Sequence, residues 1–483
     1  MPLSIIVFAK LILLFLVFST TIFGQNDENG NTRVLLSLEE CIETAWENNL
    51  QLQQQRLSVD LASQNLLQSR ASQLPSLNAN ASHSYNFGRT VDPLTNEFAT
   101  NTVRSNNFSV STGLNIFNGF QLQNAIRQNR LDLEAGRYDL ERSFNDIALL
   151  VASSYLQILF NIELVENVTN QVEITQQQVE RTEKLVSAGT LPRGSLLTIQ
   201  AQLATEELQL VNAENQLDLA WLNLRQIMFL PEETDLSIVI PQIDIEPGEE
   251  ESFTPMQVYR VAVQTQPEIK SAELRIQSAE RGVAIARGGM SPSLSARASY
   301  GTGYTEASLE IFDQTPSGIN QVFRTDDGLD ILMPVYEFET RTKAFSDQIE
   351  DNLSRSLGFF LTIPIFNNYQ VRANVSRSKI NLENARLQNQ ITREQLFQTI
   401  QQSHADAVAA LKRYNASDKN VEALQESFRY TEQRFNVGMV NSLEYNDAKN
   451  RLAAAESELL QAKYEYIFRT KILEFYLGEP LRF

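Results

Sequence analysis

Two distant stretches of this 483-residue chain carry the same order of residues, and a duplicated pattern constrains a fold more than any local signal does. Arg70 to Ser82 reads RASQLPSLNANAS and Arg287 to Ser299 reads RGGMSPSLSARAS. Ser111 to Ile126 reads STGLNIFNGFQLQNAI and Phe360 to Val375 reads FLTIPIFNNYQVRANV. The register then holds to the end of each half, matching Gly189 with Gly438, Leu203 with Leu452, Leu210 with Leu459 and Leu224 with Leu473. The second half carries extra residues between Pro292 and Phe366, at about 305–351; they are rich in Asp, Glu, Gly and Phe and read as a long surface loop. The expected organisation is a leader over 1–24, a first repeat over 25–230, a Pro- and acid-rich linker over 231–254, and a second repeat over 255–483.

Within each copy the apolar period changes. Leu196, Ile199, Leu203, Leu210, Ala213, Leu217, Ala220, Leu224 and Ile227 fall at spacings of three and four, with Glu206 the one break, and Leu452, Ala455, Leu459, Ala462, Tyr466 and Leu473 repeat the register. A sustained 3.5-residue period means a left-handed coiled coil. Residues 120–186 hold no proline and only Gly136, so they can run as one helix of about 100 Å. The counterpart spans 369 to about 435. Gln, Asn and Glu fill most positions off the stripe, so such helices must pack lengthwise on one another.

Between the shorter and longer helices the period is two. Leu77, Ala79, Ala81, Tyr85 and Phe87 alternate with Asn78, Asn80, Ser82, Ser84 and Asn86, and Phe108, Val110, Thr112, Leu114 and Ile116 with Ser109, Ser111, Gly113 and Asn115. Leu294, Ala296, Ala298 and Tyr300, with Phe359, Leu361, Ile363 and Ile365, do the same in the second copy. One apolar and one polar face is the pattern of strands in a water-filled transmembrane barrel, and also of a soluble sandwich. The barrel is favoured, because four strands flanked by very long helices leave nothing to cover a second apolar face. Four strands cannot close a barrel, and an open edge cannot exist in lipid, so the chain must oligomerise.

Composition removes several classes of function. Met1 to Gly24 pairs a lone Lys10 with an apolar run from Leu11 to Phe18, which reads as a secretory signal; an N-terminal anchor is the alternative. Beyond residue 25 no segment approaches 18 uninterrupted apolar residues, so a membrane would be entered through strands. The net charge of -19 repels nucleic acid. Cys41 is the single cysteine, so no disulfide forms within the chain, and it lies too far from the leader to carry a lipid. His83 and His404, the only histidines, make no metal-binding spacing with it. No phosphate loop, serine elbow or paired nucleophile is present, so neither catalysis nor a cofactor is expected. Trp46 and Trp221 read as packing residues.

The order helix, strand, strand, long helix, tip, helix, stated twice, resembles the TolC family of outer-membrane efflux proteins over essentially the whole mature chain. Pro75-Ser76-Leu77 and Pro292-Ser293-Leu294 look like that family's strand entry. Phe117 and Gly119, and Pro364 and Phe366, fall in its strand exit; Gly189 and Gly438 look like its helix-tip glycines. The resemblance implies a mainly α fold with a β-barrel portion: a homotrimer whose four strands per protomer make a twelve-stranded barrel in the outer-membrane bilayer, above a coiled-coil periplasmic tunnel, with the linker and termini forming a belt. It implies a passive exit duct, with a periplasmic adaptor and an inner-membrane pump of RND or ABC type at the tips. An exported coiled-coil scaffold or adhesin would explain the heptads but not the strands, and a diffusion porin would be nearly all strand.

The same resemblance places an acidic gate six and nine positions after the second tip glycine, at Glu444 and Asp447; the first copy has Ser195 and Thr198 there. Three copies of two carboxylates around an axis would attract cations. The plain alternative is an exposed helix face. The family's basic residue after that glycine is absent, since Met439 and Val440 follow, while Pro192 and Arg193 in the first tip are candidates for adaptor contact.

Overall fold

The computed structural model describes residues 25–26, 32–91, 98–231, 234, 236–241 and 254–481, so the expected leader over 1–24 and most of the expected linker lie outside the described residues. In chain order its elements are β1 (Gln25–Asn26), β2 (Thr32–Leu36), α1 (Leu38–Asn48), α2 (Leu50–Ala71), β3 (Ser76–Val91), β4 (Phe98–Phe117), α3 (Gln121–Ser187), α4 (Arg193–Ile227) and β5 (Leu236–Ile238). There follow α5 (Pro255–Thr265), α6 (Pro267–Gly288), β6 (Ser293–Thr305), β7 (Leu309–Arg324), β8 (Asp330–Thr342), α7 (Phe345–Asp351), β9 (Ser354–Thr362), α8 (Gln370–Asn436) and α9 (Ser442–Leu477). The helices α1, α2, α3 and α4 have 11, 22, 67 and 35 residues, and α5, α6, α8 and α9 have 11, 22, 67 and 36.

Local chemistry sets the helix starts. At Ser37 and at Thr254 the cap hydroxyl accepts from the amide three residues on, while Glu40 and Gln257 reach back to the cap amide; these reciprocal bonds satisfy donors a helix end leaves orphaned. Pro255 then suits the first turn, where its missing N–H costs nothing.

The described residues form two compact units, one of 134–274 with the flanking stretches up to 61 and from 386, the other of 62–133 and 275–385; the boundaries fall inside α2, α3, α6 and α8. In the first unit the main core gathers Cys41 and Ala45 of α1, Val151, Tyr155, Ile158 and Leu159 of α3, Leu224 of α4, Ile238 of β5 and Ile467 of α9. By length and composition α3 contains a stretch apolar enough to cross a membrane; 56% of that stretch is buried, with Val151, Tyr155, Ile158 and Leu159 in this core. Trp46 packs edge-on against Phe144 and donates its indole N–H to the Phe144 carbonyl at 3.0 Å, the packing role expected for it. The linker contributes β5, which pairs parallel with β2, placing Leu36 beside Ile238. Cys41 is fully buried, and burial pushes its thiol up to about 12, with the charge of Glu40 adding to the rise. We expect a maleimide at pH 7 to leave Cys41 unmodified until the protein is denatured; stoichiometric labelling of the native protein, read by intact mass, would contradict that core.

The second unit carries a four-stranded antiparallel sheet in the order β3-β4-β6-β9. Asn78, Ser111, Ser299 and Ser356 form one polar row across the four strands, while the next row holds Ala79, Val110 and Tyr300 and ends in Arg355. A concavity of about 580 Å³ is lined by residues including Ser76, Asn78, Ser111, Arg297, Ser299 and Ser356. Leu77, Leu357, Phe359 and Leu361, of the other parity, are 63–75% exposed, so the apolar face is uncovered in a single chain. Ile363 and Ile365, read as part of the last strand, lie beyond the end of β9.

A second expectation is corrected. Residues 305–351 are not a long loop: β7 and β8 pair as an antiparallel hairpin, followed by α7. Ile311, Phe312, Ile319 and Phe323 on one strand and Ile331, Val335, Tyr336 and Phe338 on the other are strand formers, which the acidic composition of the segment masked. The root of the hairpin is tied down. Gln348, 1% exposed, accepts from the Thr305 amide at 2.9 Å and donates to the carbonyls of Thr305 and Lys343, while Asn352 donates to Gly303 at 2.7 Å.

Candidate functional site at the helical tips

The α3–α4 and α8–α9 turns are built alike. The Gly189 amide donates to Val186 and the Thr190 amide to Leu185; the Gly438 amide donates to Phe435 and the Met439 amide to Arg434. These are Schellman closures, which place the residue after the helix in the left-handed region, and Gly189 and Gly438 have φ of +75° and +77°. An added Cβ would meet nothing within 4 Å at either glycine, so the requirement is the backbone conformation alone. The next helices then restart differently. Pro192 caps α4 with no side-chain bond, whereas the Asn441 side chain accepts from the Glu444 amide at 2.9 Å. A cavity of about 510 Å³ lies between the turns, lined by residues including Arg181, Leu185, Pro192, Phe435, Gly438 and Asn441. Arg181 donates to Asn436 there at 2.5 Å, linking the two tips; Arg193 begins α4 and does not line this cavity.

Both gate candidates are exposed on α9 and each meets an arginine. Glu444 is 3.4 Å from Arg434 of α8, and Asp447 is 3.0 Å from Arg451 one turn along. Pairs this exposed contribute little to stability and yield readily to another cation. Arg434, four residues before Gly438, is the basic residue that meets Glu444 at this tip. The spacing of glycine and carboxylates did not reveal it, although its place in the last turn before a tip, next in space to the first turn of α9, could have.

Further along the same helices lies a cluster that sequence reading took for a defect. Glu206, the break in the α4 stripe, is buried and pairs with buried Lys449 of α9 at 3.0 Å, their side chains only 3% and 7% exposed. The ammonium also donates to the Gln171 carbonyl at 2.8 Å and to the Thr175 hydroxyl, both on α3; Thr175 in turn donates to Glu206. Gln202 completes the set, donating to Glu206 at 2.9 Å. Burial pulls the Lys449 ammonium below its usual range, and the hydrogen bond and charge of Glu206 oppose that pull. Three helices therefore meet at one satisfied ion pair. In the two-fold register Ala455 and Gln200 stand where Glu206 and Lys449 would recur, so the pair is used once per chain.

The strand entry and exit residues flank the sheet. Pro75 and Pro292 directly precede β3 and β6, and Phe117 ends β4. After Phe117 the chain turns through two left-handed residues, Gly119 and Phe120, with φ of +66° and +61°; Asn368 and Tyr369 do the same before α8, with φ of +50° and +64°. Pro364 and Phe366 lie between the end of β9 and that second turn, and Phe366 is exposed.

Among the described residues no group of three or more His, Cys, Asp or Glu is arranged to hold a metal ion. Comparison with known proteins agrees with the architecture. Outer membrane protein TolC of Escherichia coli (strain K12) is 23% identical over 450 residues, covering 92% of this chain and 82% of its own. Outer membrane efflux protein BepC of Brucella suis biovar 1 (strain 1330) is 20% identical over 456 residues, covering 94% and 87%. Among solved structures, CusC superposes with a TM-score of 0.71 at 17% identity, covering 95% of this chain and 96% of its own. The Campylobacter jejuni CmeC outer membrane channel gives 0.71 at 16% identity, covering 91% and 85%. The family model described as outer membrane efflux protein matches residues 41–228 and 258–479, and with both stretches matched the chain belongs to that family.

Proposed function

We propose that three copies of this chain close one barrel and one helical tunnel, forming an exit duct that an inner-membrane pump of RND or ABC type and a periplasmic adaptor load from the tips. The observation that carries this reading is the sheet: four strands end in two unpaired edges, β3 and β9, while their outer face is apolar and exposed. Unpaired edges are excluded from lipid, so neighbouring copies must supply the missing partners. The polar rows then face the lumen. Nothing in this role requires a reaction, and the substrate is chosen by the pump. The scaffold or adhesin alternative leaves the membrane-type sheet without a purpose.

In this reading Glu444 and Asp447 ring the periplasmic aperture. The Arg434 contact, between α8 and the first turn of α9, favours the resting arrangement of that tip. Gly189, Pro192, Arg193 and Gly438 present the two turns to the adaptor. The test is conductance of the reconstituted full-length protein in planar bilayers. Glu444→Ala with Asp447→Ala should give a leakier resting pore and a several-fold weaker block by Mg²⁺, because the carboxylates that attract cations are gone. Unchanged conductance and block would refute the gate, and a purified species that stays a single chain in detergent would refute the duct.

A further inference from the structure

The apolar face of the sheet ends in an arginine. On β9 the residues of the apolar parity, read from α8 outward, are Leu361, Phe359, Leu357 and then Arg355, second residue of the strand and exposed. Register fixes this side without ambiguity: Arg355 lies in one row with Tyr300, Val110 and Ala79, whereas Ser356 lies in the row of Ser299, Ser111 and Asn78. The guanidinium carbon sits 5.7 Å from the centre of the Tyr300 ring, and among the described residues no carboxylate pairs with it. The surrounding outward positions change in the same direction. On β6 the run Leu294, Ala296 and Ala298 gives way to exposed Tyr300, and on β3 Leu77, Ala79 and Ala81 give way to exposed Tyr85. Aromatic rings that follow an apolar band mark the membrane–water boundary of a barrel, here at the end of the sheet away from the helices. A free guanidinium in that girdle is costly in hydrocarbon and well placed for an anionic headgroup. The other outward arginine nearby, Arg104, is already paired with Glu306 at 3.0 Å.

We propose that Arg355, steadied by Tyr300, holds the phosphate of an outer-leaflet lipid. The planar guanidinium matches a phosphate with two parallel hydrogen bonds, and the ring beneath it limits the rotamers it would otherwise lose on binding. Arg297 is the internal contrast. It lies two residues before Ser299, on the polar parity, over the Phe360 ring at 5.4 Å, and belongs to the lumen. This inference rests on the outward face meeting lipid, but not on the number of copies, since Arg355 and Tyr300 belong to one chain.

The experiment uses the full-length protein in detergent, with lipid A carrying both phosphates, dephosphorylated lipid A and inorganic phosphate as probes, and binding followed by native mass spectrometry. The wild type should retain the phosphorylated lipid and not the dephosphorylated one. Arg355→Ala should bind at least about tenfold more weakly, as expected for loss of a hydrogen bond to a charged group. Arg355→Lys should keep part of the affinity, because a point charge cannot reproduce the fork. Arg297→Ala should bind as the wild type. Equal retention by Arg355→Ala, equal loss in Arg297→Ala, or inorganic phosphate binding as tightly as the lipid would each overturn the proposal. The same spectra report the number of chains, so failure of the assembly is read separately from failure of the lipid site.

Discussion

Methionine in place of Lys449 is expected to destabilise the helical body by about 3–5 kcal/mol, the cost of leaving one member of a buried ion pair without its partner. Glu206 would remain 3% exposed on its side chain with only Thr175 and Gln202 to bond it. Its carboxylate would then have to draw water between α3, α4 and α9. Replacing both residues, Glu206→Leu with Lys449→Leu, should recover the stability or exceed the wild type, since two charges no longer need to be desolvated. Hydrogen exchange over 165–180, 200–212 and 443–455 would report both outcomes. Exchange in Lys449→Met no faster than in the wild type would show that the pair carries no such energy. The pair resembles a polar residue in a coiled-coil seam, which fixes register at some cost in stability. Lys449 on α9 can meet Glu206 on α4 at only one axial setting, so a slip of one helix by a turn leaves two charges buried and unmatched.

Alanine at Gly119 is expected to do comparable damage in the other unit. A Cβ there would stand 2.4 Å from the carbonyl oxygen of Gly288 and 2.7 Å from the Ser291 side chain, and the backbone has φ +66°. The left-handed conformation alone costs a non-glycine residue about 1–2 kcal/mol, and forcing a carbonyl aside adds roughly 1–3 kcal/mol. The approach is mutual, because a Cβ on Gly288 would meet the Gly119 carbonyl at 2.6 Å. Gly189→Ala is the matched comparison: φ is +75° but the space is open, so only the conformational cost of about 1–2 kcal/mol applies. Membrane-inserted yield and heat resistance should fall steeply in Gly119→Ala and modestly in Gly189→Ala. Equal effects would mean that the contact with Gly288 is not tight.

The periodic features were legible because they repeat. A heptad stripe and a two-residue alternation each place many residues on one face, and α3, α4, α8, α9 and the four sheet strands follow from them. The tip glycines were legible because few other residues close a helix in the left-handed region. Pairwise chemistry was not. Glu206 read as a break since nothing local links it to Lys449, which lies on α9 in the other half of the chain. The hairpin was hidden by composition, its acidic and glycine residues outweighing short runs such as Val335-Tyr336. The left-handed Phe120 and Tyr369 ran against propensity, and Phe229 does so too at φ +53°, where the second copy has Gly478. At the second tip the sequence indicated the carboxylates Glu444 and Asp447, whereas the Arg434 partner of Glu444 depends on how α8 folds back beside α9.

The hairpin of β7 and β8 leaves the sheet and returns to the same point. Leu309 faces Thr342, the Lys343 amide donates to Ser308 at 2.9 Å, and Gln348 fastens both ends to Thr305. A segment whose ends already touch can be exchanged for another of different length with little change in the entropy of closing the chain. It is a cassette: epitopes or affinity tags spliced between 312 and 338 could be displayed, or the whole appendage excised, while the strands that carry it keep their neighbours.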